Sequence, residues 1–148
     1  MTSFNKLKAV ITTFPVLKSP DFAKPFVLPV DASDTGVGAM LTQSSDDEIQ
    51  HPVAYFSKKL NEAQKKYSTI EKETLALILA LNHFEVYLSG ATDPIKIYTD
   101  RNPLNFINKY KTKNQRLMHW KLVLQEWDLQ ILHVPGKDNI VPDVLSHI

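Results

Sequence analysis

Two aspartates stand where a largely apolar run gives out: Asp31 follows Val27-Leu28-Pro29-Val30, and Asp100 follows Ile95-Lys96-Ile97-Tyr98-Thr99. If both runs are strands and the strands pair, the two carboxylates come side by side. Their repulsion and desolvation, on the order of several kcal/mol, become tolerable when a divalent cation sits between them. The same pattern also fits two aspartates that each open a turn or cap the next helix, and strand patterning alone does not choose between these readings. The chain has no Cys, which removes disulfides, thiolate metal sites and cysteine nucleophiles together. Any metal must therefore rest on oxygen or histidine, and His51, His83, His119 and His147 show no zinc-site spacing.

The elements that would position these acids can be read from the rest of the chain. At 148 residues and 43% hydrophobic content, one compact core is expected. Phe4, Leu7, Val10 and Ile11 have helical spacing, and an extended stretch with Pro15, Pro20 and Pro25 follows, so residues 1–24 read as a lead-in helix and connector ahead of a domain at 25–148. Strands are expected at 26–31, 36–42 and 53–57, close enough in succession to form an antiparallel meander. A helix is expected over 69–88, opened by Ser68 and Glu71 in capping-box spacing and closed by Gly90. Its middle, 75–81, is apolar all round, as in a helix packed on more than one side. A strand at 95–99, helices at 103–108 and 115–126, a strand at 129–134 and a short closing helix at 140–148 complete the reading. The later strand–helix–strand connections demand parallel pairing, giving a mixed α/β sheet whose ligands would sit at the carboxyl ends of the strands, where Asp31 and Asp100 stand.

Composition sets bounds on partners. The net charge of +1 neither requires nor excludes a polyanion, so nucleic-acid binding would need local clusters of basic residues. No secretory signal is visible near the N-terminus, and no apolar run approaches the roughly 20 residues that span a bilayer. An intracellular location without a membrane partner is expected.

Several ordered motifs narrow the reading. Phe26-Val-Leu-Pro-Val-Asp31-Ala-Ser33, Gly36-Val-Gly38-Ala-Met-Leu41-Thr-Gln43, Pro52-Val-Ala-Tyr55-Phe-Ser57-Lys-Lys-Leu60 and Tyr67-Ser-Thr-Ile-Glu71-Lys-Glu73-Thr-Leu-Ala76 come first. Tyr98-Thr-Asp100, Trp120 with Leu124-Gln125, and Pro135-Gly136-Lys137-Asp-Asn139-Ile-Val-Pro-Asp143-Val-Leu145-Ser146 follow in order. Together they resemble, over essentially the whole chain, the ribonuclease H domain of gypsy-type (Metaviridae) LTR retrotransposon Pol polyproteins. Phe14-Pro15-Val16-Leu17 and Pro20-Asp21-Phe22 resemble the connector from the polymerase part.

The resemblance implies a ribonuclease H-like fold, a five-stranded mixed sheet flanked by helices, and hydrolysis of the RNA strand of RNA/DNA hybrids during reverse transcription. The matching catalytic and metal-binding positions are Asp31, Glu73, Asp100 and Asp143, which would hold two Mg2+ ions that Mn2+ can replace. Glu73 is preferred to Glu71 because Ser68 accounts for Glu71 as a capping-box partner, whereas Glu73 shares a helix face with Leu77, Ala80 and Phe84, a costly place for an uncompensated carboxylate. Expected nucleic-acid contacts are Ser33, Arg101 and Asn102 near the 2′-hydroxyl, with Lys58, Lys59, Lys113 and Arg116 on phosphates. The polymerase part of the same polyprotein is the implied partner, and cytoplasmic virus-like particles the implied location. The chain departs from the family pattern at Arg101, His119, Pro142 and His147, none of which removes a metal ligand. The alternative function is a non-catalytic module that tethers hybrid or the polymerase domain.

Overall fold

The computed structural model describes residues 19–44, 50–99 and 115–133. Three strands, β1 (Val27–Ala32), β2 (Gly36–Ser44) and β3 (Gln50–Lys59), form the expected antiparallel meander, with Val30 opposite Ala39 and Ala39 opposite Phe56. The chain then forms α1 (Glu62–Lys65), α2 (Thr69–His83) and α3 (Glu85–Leu88), and next β4 (Ile95–Thr99), α4 (Gln115–Gln125) and β5 (Leu129–His133). β4 pairs parallel with β1, and β5 parallel with β4, so the sheet order is β3-β2-β1-β4-β5. This is the five-stranded mixed sheet expected from the sequence. The lead-in over 1–18 and the helices expected at 103–108 and 140–148 lie outside the described residues.

One face of the sheet carries the core. Strand alternation groups Leu28 and Val30 with Ala39, Leu41 and Phe56. The ring of Phe56 lies 4.7 Å from that of His83 and 6.5 Å from that of Phe84, so this is the face that α2 covers. Leu75, Leu77, Ala80 and Leu81 are buried along α2, and Leu117, Trp120 and Leu124 on α4 close over it at helical spacing.

Most boundaries fall within two residues of expectation, and three differences are larger. β3 extends to Gln50 because β2 runs on to Ser44 and offers it partners, with an irregularity at Leu41/Thr42 that admits Pro52. The helix expected over 69–88 breaks at Phe84 (φ −96°, ψ 12°), whose fully buried ring packs edge-on against Phe56. Burying such a ring contributes about 2 to 3 kcal/mol, far more than the hydrogen bonding lost at one helical break. The single turn α1, capped reciprocally by Asn61 and Gln64, is too short to leave a periodic signal.

Ahead of β1, the chain is held to the sheet by Gln43. Its Nε2 donates to the carbonyls of Asp21 (2.8 Å) and Lys24 (3.1 Å), and its Oε1 accepts the Asp21 N–H at 2.8 Å. Gln43 is buried, so its amide would be costly there without these bonds.

Tyr55, opposite Met40, is a contrasting case: its hydroxyl is buried with no hydrogen-bond partner among the described residues, and burial pushes its pKa upward. Tyr55→Phe should therefore be neutral or stabilising, by up to about 1 kcal/mol, in denaturant unfolding near neutral pH. The unfolded chain ionises this phenol near pH 10 while the folded chain retains the proton, so native stability should fall as pH rises through about 10. The phenylalanine variant should lose less stability over the same range; equal losses in both proteins would sink this assignment.

Candidate active site

Asp31 is the next-to-last residue of β1 and is buried, at 5% exposure. Its cross-strand neighbour is Gly38, so no β2 side chain stands directly opposite the carboxylate. The turn that follows is tightly braced: Ser33 N–H donates to Gly36 O at 2.8 Å, Ser33 Oγ accepts the Gly36 N–H at 3.1 Å, and Leu60 N–H donates to Thr35 O at 2.9 Å. Ser33, an expected 2′-hydroxyl contact, thus also shapes this turn.

Glu73 lies early in α2 and is likewise buried, at 4% exposure. Ser68 caps the helix in a reciprocal capping box with Glu71, which also pairs with Arg116 of α4. Glu71 is therefore engaged at the helix start, as the Ser68 spacing suggests. The neighbouring Lys72 reaches the β1–β2 turn, donating to Asp34 O at 3.4 Å. That contact places the start of α2 against the turn that follows Asp31, so both buried carboxylates belong to the same end of the sheet.

Asp100 directly follows Thr99, the buried last residue of β4. The β1–β4 pairing runs to Pro29 opposite Tyr98, two residues short of Asp31 on one strand and of position 100 on the other. Asp100 and Asp143 themselves lie outside the described residues, as do Arg101, Asn102 and Lys113. Among the described residues no group of three or more His, Asp or Glu side chains could hold a metal ion. The donor chemistry of the described pair, two buried carboxylates and no thiolate, suits a hard cation such as magnesium.

Of the expected phosphate contacts, Lys58 and Lys59 are exposed at the end of β3, opposite Val37 and Gly36. Arg116 is half-exposed, with its guanidinium 4.0 Å above the Tyr67 ring while it pairs with Glu71. It therefore fastens the start of α4 to the start of α2, whatever else it contacts. Lys72 was not anticipated from the sequence. The available signal was its place on the helix face of Leu75, Ala76 and Leu79, where a lysine is out of character.

Residues 21–127 match the family model described as "RNase H-like domain found in reverse transcriptase". The chain belongs to this family. The RNase H-like domain is 42% identical over 148 residues to the "Retrovirus-related Pol polyprotein from transposon opus" of Drosophila melanogaster, covering all of this chain and 15% of that protein. It is 40% identical to the "Transposon Tf2-3 polyprotein" of Schizosaccharomyces pombe, covering 99% of this chain and 11% of that one. The domain thus spans a small part of each of these relatives. Among solved structures it resembles the native Prototype Foamy Virus protease-reverse transcriptase, with a TM-score of 0.69 at 19% identity, over 97% of this chain and 19% of that one. It also resembles LC11-RNase H1 in complex with RNA/DNA hybrid, with a TM-score of 0.61 at 18% identity, over 81% of this chain and 92% of that one. The fold and the retrotransposon kinship expected from the sequence motifs are both borne out. Among the described residues no helix is long and apolar enough to cross a membrane.

Proposed function

We propose that this RNase H-like domain hydrolyses the RNA strand of RNA/DNA hybrids during reverse transcription of a gypsy-type retroelement, as part of a longer Pol polyprotein. The observation that carries the reading is the burial of Asp31 and Glu73 at one end of the sheet, where the bracing of the β1–β2 turn and the start of α2 holds both. Burying two acids is expensive, and a domain that merely tethered hybrid would have no use for them.

In this reading Asp31 and Glu73, with Asp100 and Asp143, would hold two magnesium ions. When bound, these would supply an activated water and offset the charge on the leaving oxygen. Among the described residues, the domain buries Asp31 and Glu73 and sets a glycine, Gly38, opposite Asp31 on β2. Ser33, Arg101 and Asn102 would recognise the RNA strand, and Lys58, Lys59, Lys113 and Arg116 the phosphates of the hybrid. The polymerase part of the polyprotein would present the hybrid, in the cytoplasm and within virus-like particles.

The test is cleavage of a labelled RNA/DNA hybrid with magnesium or manganese, with duplex DNA, duplex RNA and the Asp100→Asn variant as controls. Cutting of only the hybrid's RNA strand, dependent on metal and on Asp100, is the expected result. Hybrid binding without cleavage at high protein concentration would instead support a tethering module.

A further inference from the structure

The β1–β2 turn is braced within the sheet by Ser33 and Leu60, but those bonds do not relate it to the helix that carries Glu73. Lys72 does. Its side chain is 11% exposed, and its ammonium donates to the Asp34 carbonyl at 3.4 Å and stands 3.6 Å from Asp34 Oδ1. The Asp34 carboxylate is fully exposed, so its attraction is screened by water, and the part-buried bond to the backbone carbonyl is the contact less open to screening. Lys72 adjoins Glu73 in sequence, and Asp34 stands three residues beyond Asp31. A lysine buried on a helix face shared with Leu75, Ala76 and Leu79 loses much of its hydration and side-chain freedom. A methionine would fill the same space at less cost, so packing does not account for the ammonium.

We propose that Lys72 is a positioning residue: its ammonium latches the β1–β2 turn to the start of α2 and so fixes Glu73 relative to Asp31. The inference rests on the nuclease reading for its effect on catalysis. The latch itself can be examined without that reading. Misplacing one carboxylate by a fraction of an ångström weakens both metal binding and the chemical step, whereas contacts to the hybrid elsewhere are untouched.

The variants are Lys72→Met, which keeps the stem and removes the charge, and Asp34→Asn, which keeps the carbonyl and removes the carboxylate. Amide hydrogen exchange is followed at residues 33–36 and 69–73, together with thermal melting and steady-state cleavage of hybrid. In Lys72→Met, exchange in both segments should rise by about tenfold and kcat should fall by about tenfold or more, with KM changed less than about twofold and a higher magnesium requirement. Asp34→Asn should behave as the native chain. A raised KM with unchanged kcat and exchange would make Lys72 a phosphate contact and overturn the proposal. So would unchanged exchange in Lys72→Met, even if cleavage fell. If the native chain cuts no hybrid, the nuclease reading fails alone, and the exchange data still decide whether the latch exists.

Discussion

Asp31→Asn should lower metal-dependent hybrid cleavage by roughly 10³-fold, equivalent to about 4 kcal/mol of transition-state stabilisation, while making the metal-free protein no less stable. Both halves follow from burial. At 5% exposure, opposite a glycine on β2, the carboxylate carries a desolvation cost and is placed to meet a cation. Asparagine keeps the shape and removes the charge, which relieves the desolvation of a buried carboxylate, so the metal-free variant should be within about 1 kcal/mol of the native chain. Thermal melting with and without magnesium, run beside the cleavage assay, separates the effects. Magnesium should raise the melting temperature of the native protein and do less for the variant. A variant that melts well below the native chain would show that Asp31 is a structural acid.

The second large effect is a contrast between neighbours. Glu73→Gln should reduce cleavage by on the order of 10² to 10³-fold with little change in melting temperature. Glu71→Gln should do the reverse. Glu71 pairs with Arg116, which itself stacks on Tyr67, so the loss of its charge should cost about 1 kcal/mol and lower the melting temperature by a few degrees, while glutamine can still complete the Ser68 capping box. Below that temperature, cleavage should stay within a few-fold of native. If Glu71→Gln instead abolished cleavage in a folded protein while Glu73→Gln did not, the assignment of the second carboxylate would be exchanged.

That contrast was legible in the sequence because both physical signals are local: a serine three residues before Glu71, and the apolar positions that share a helix face with Glu73. The meander was legible too, since its strands are short, apolar and separated by turn residues. The break at Phe84 was not, because it arises from the packing of Phe84 against Phe56, a residue 28 positions earlier in the chain. The contact of Lys72 with a backbone carbonyl was hidden for the same reason: no residue type at position 34 announces it. That Asp31 and the start of α2 share one end of the sheet was implied by the family resemblance and not by any local spacing. Asp100 and Asp143 stand on the sequence motifs alone, outside the described residues.

The Gln43 clasp bears on how the domain would withstand tugging from the rest of the proposed polyprotein. Tension arriving along the segment before β1 meets three hydrogen bonds at Asp21 and Lys24, which hand the load to β2 near its end at Ser44. Gly38, the neighbour of Asp31, lies five residues back along that strand, about 17 Å away in extended backbone. A pull on the tether is thus passed into the sheet at β2 before it reaches the carboxylates, so, within the proposed polyprotein, movement of an adjoining domain need not blur their alignment.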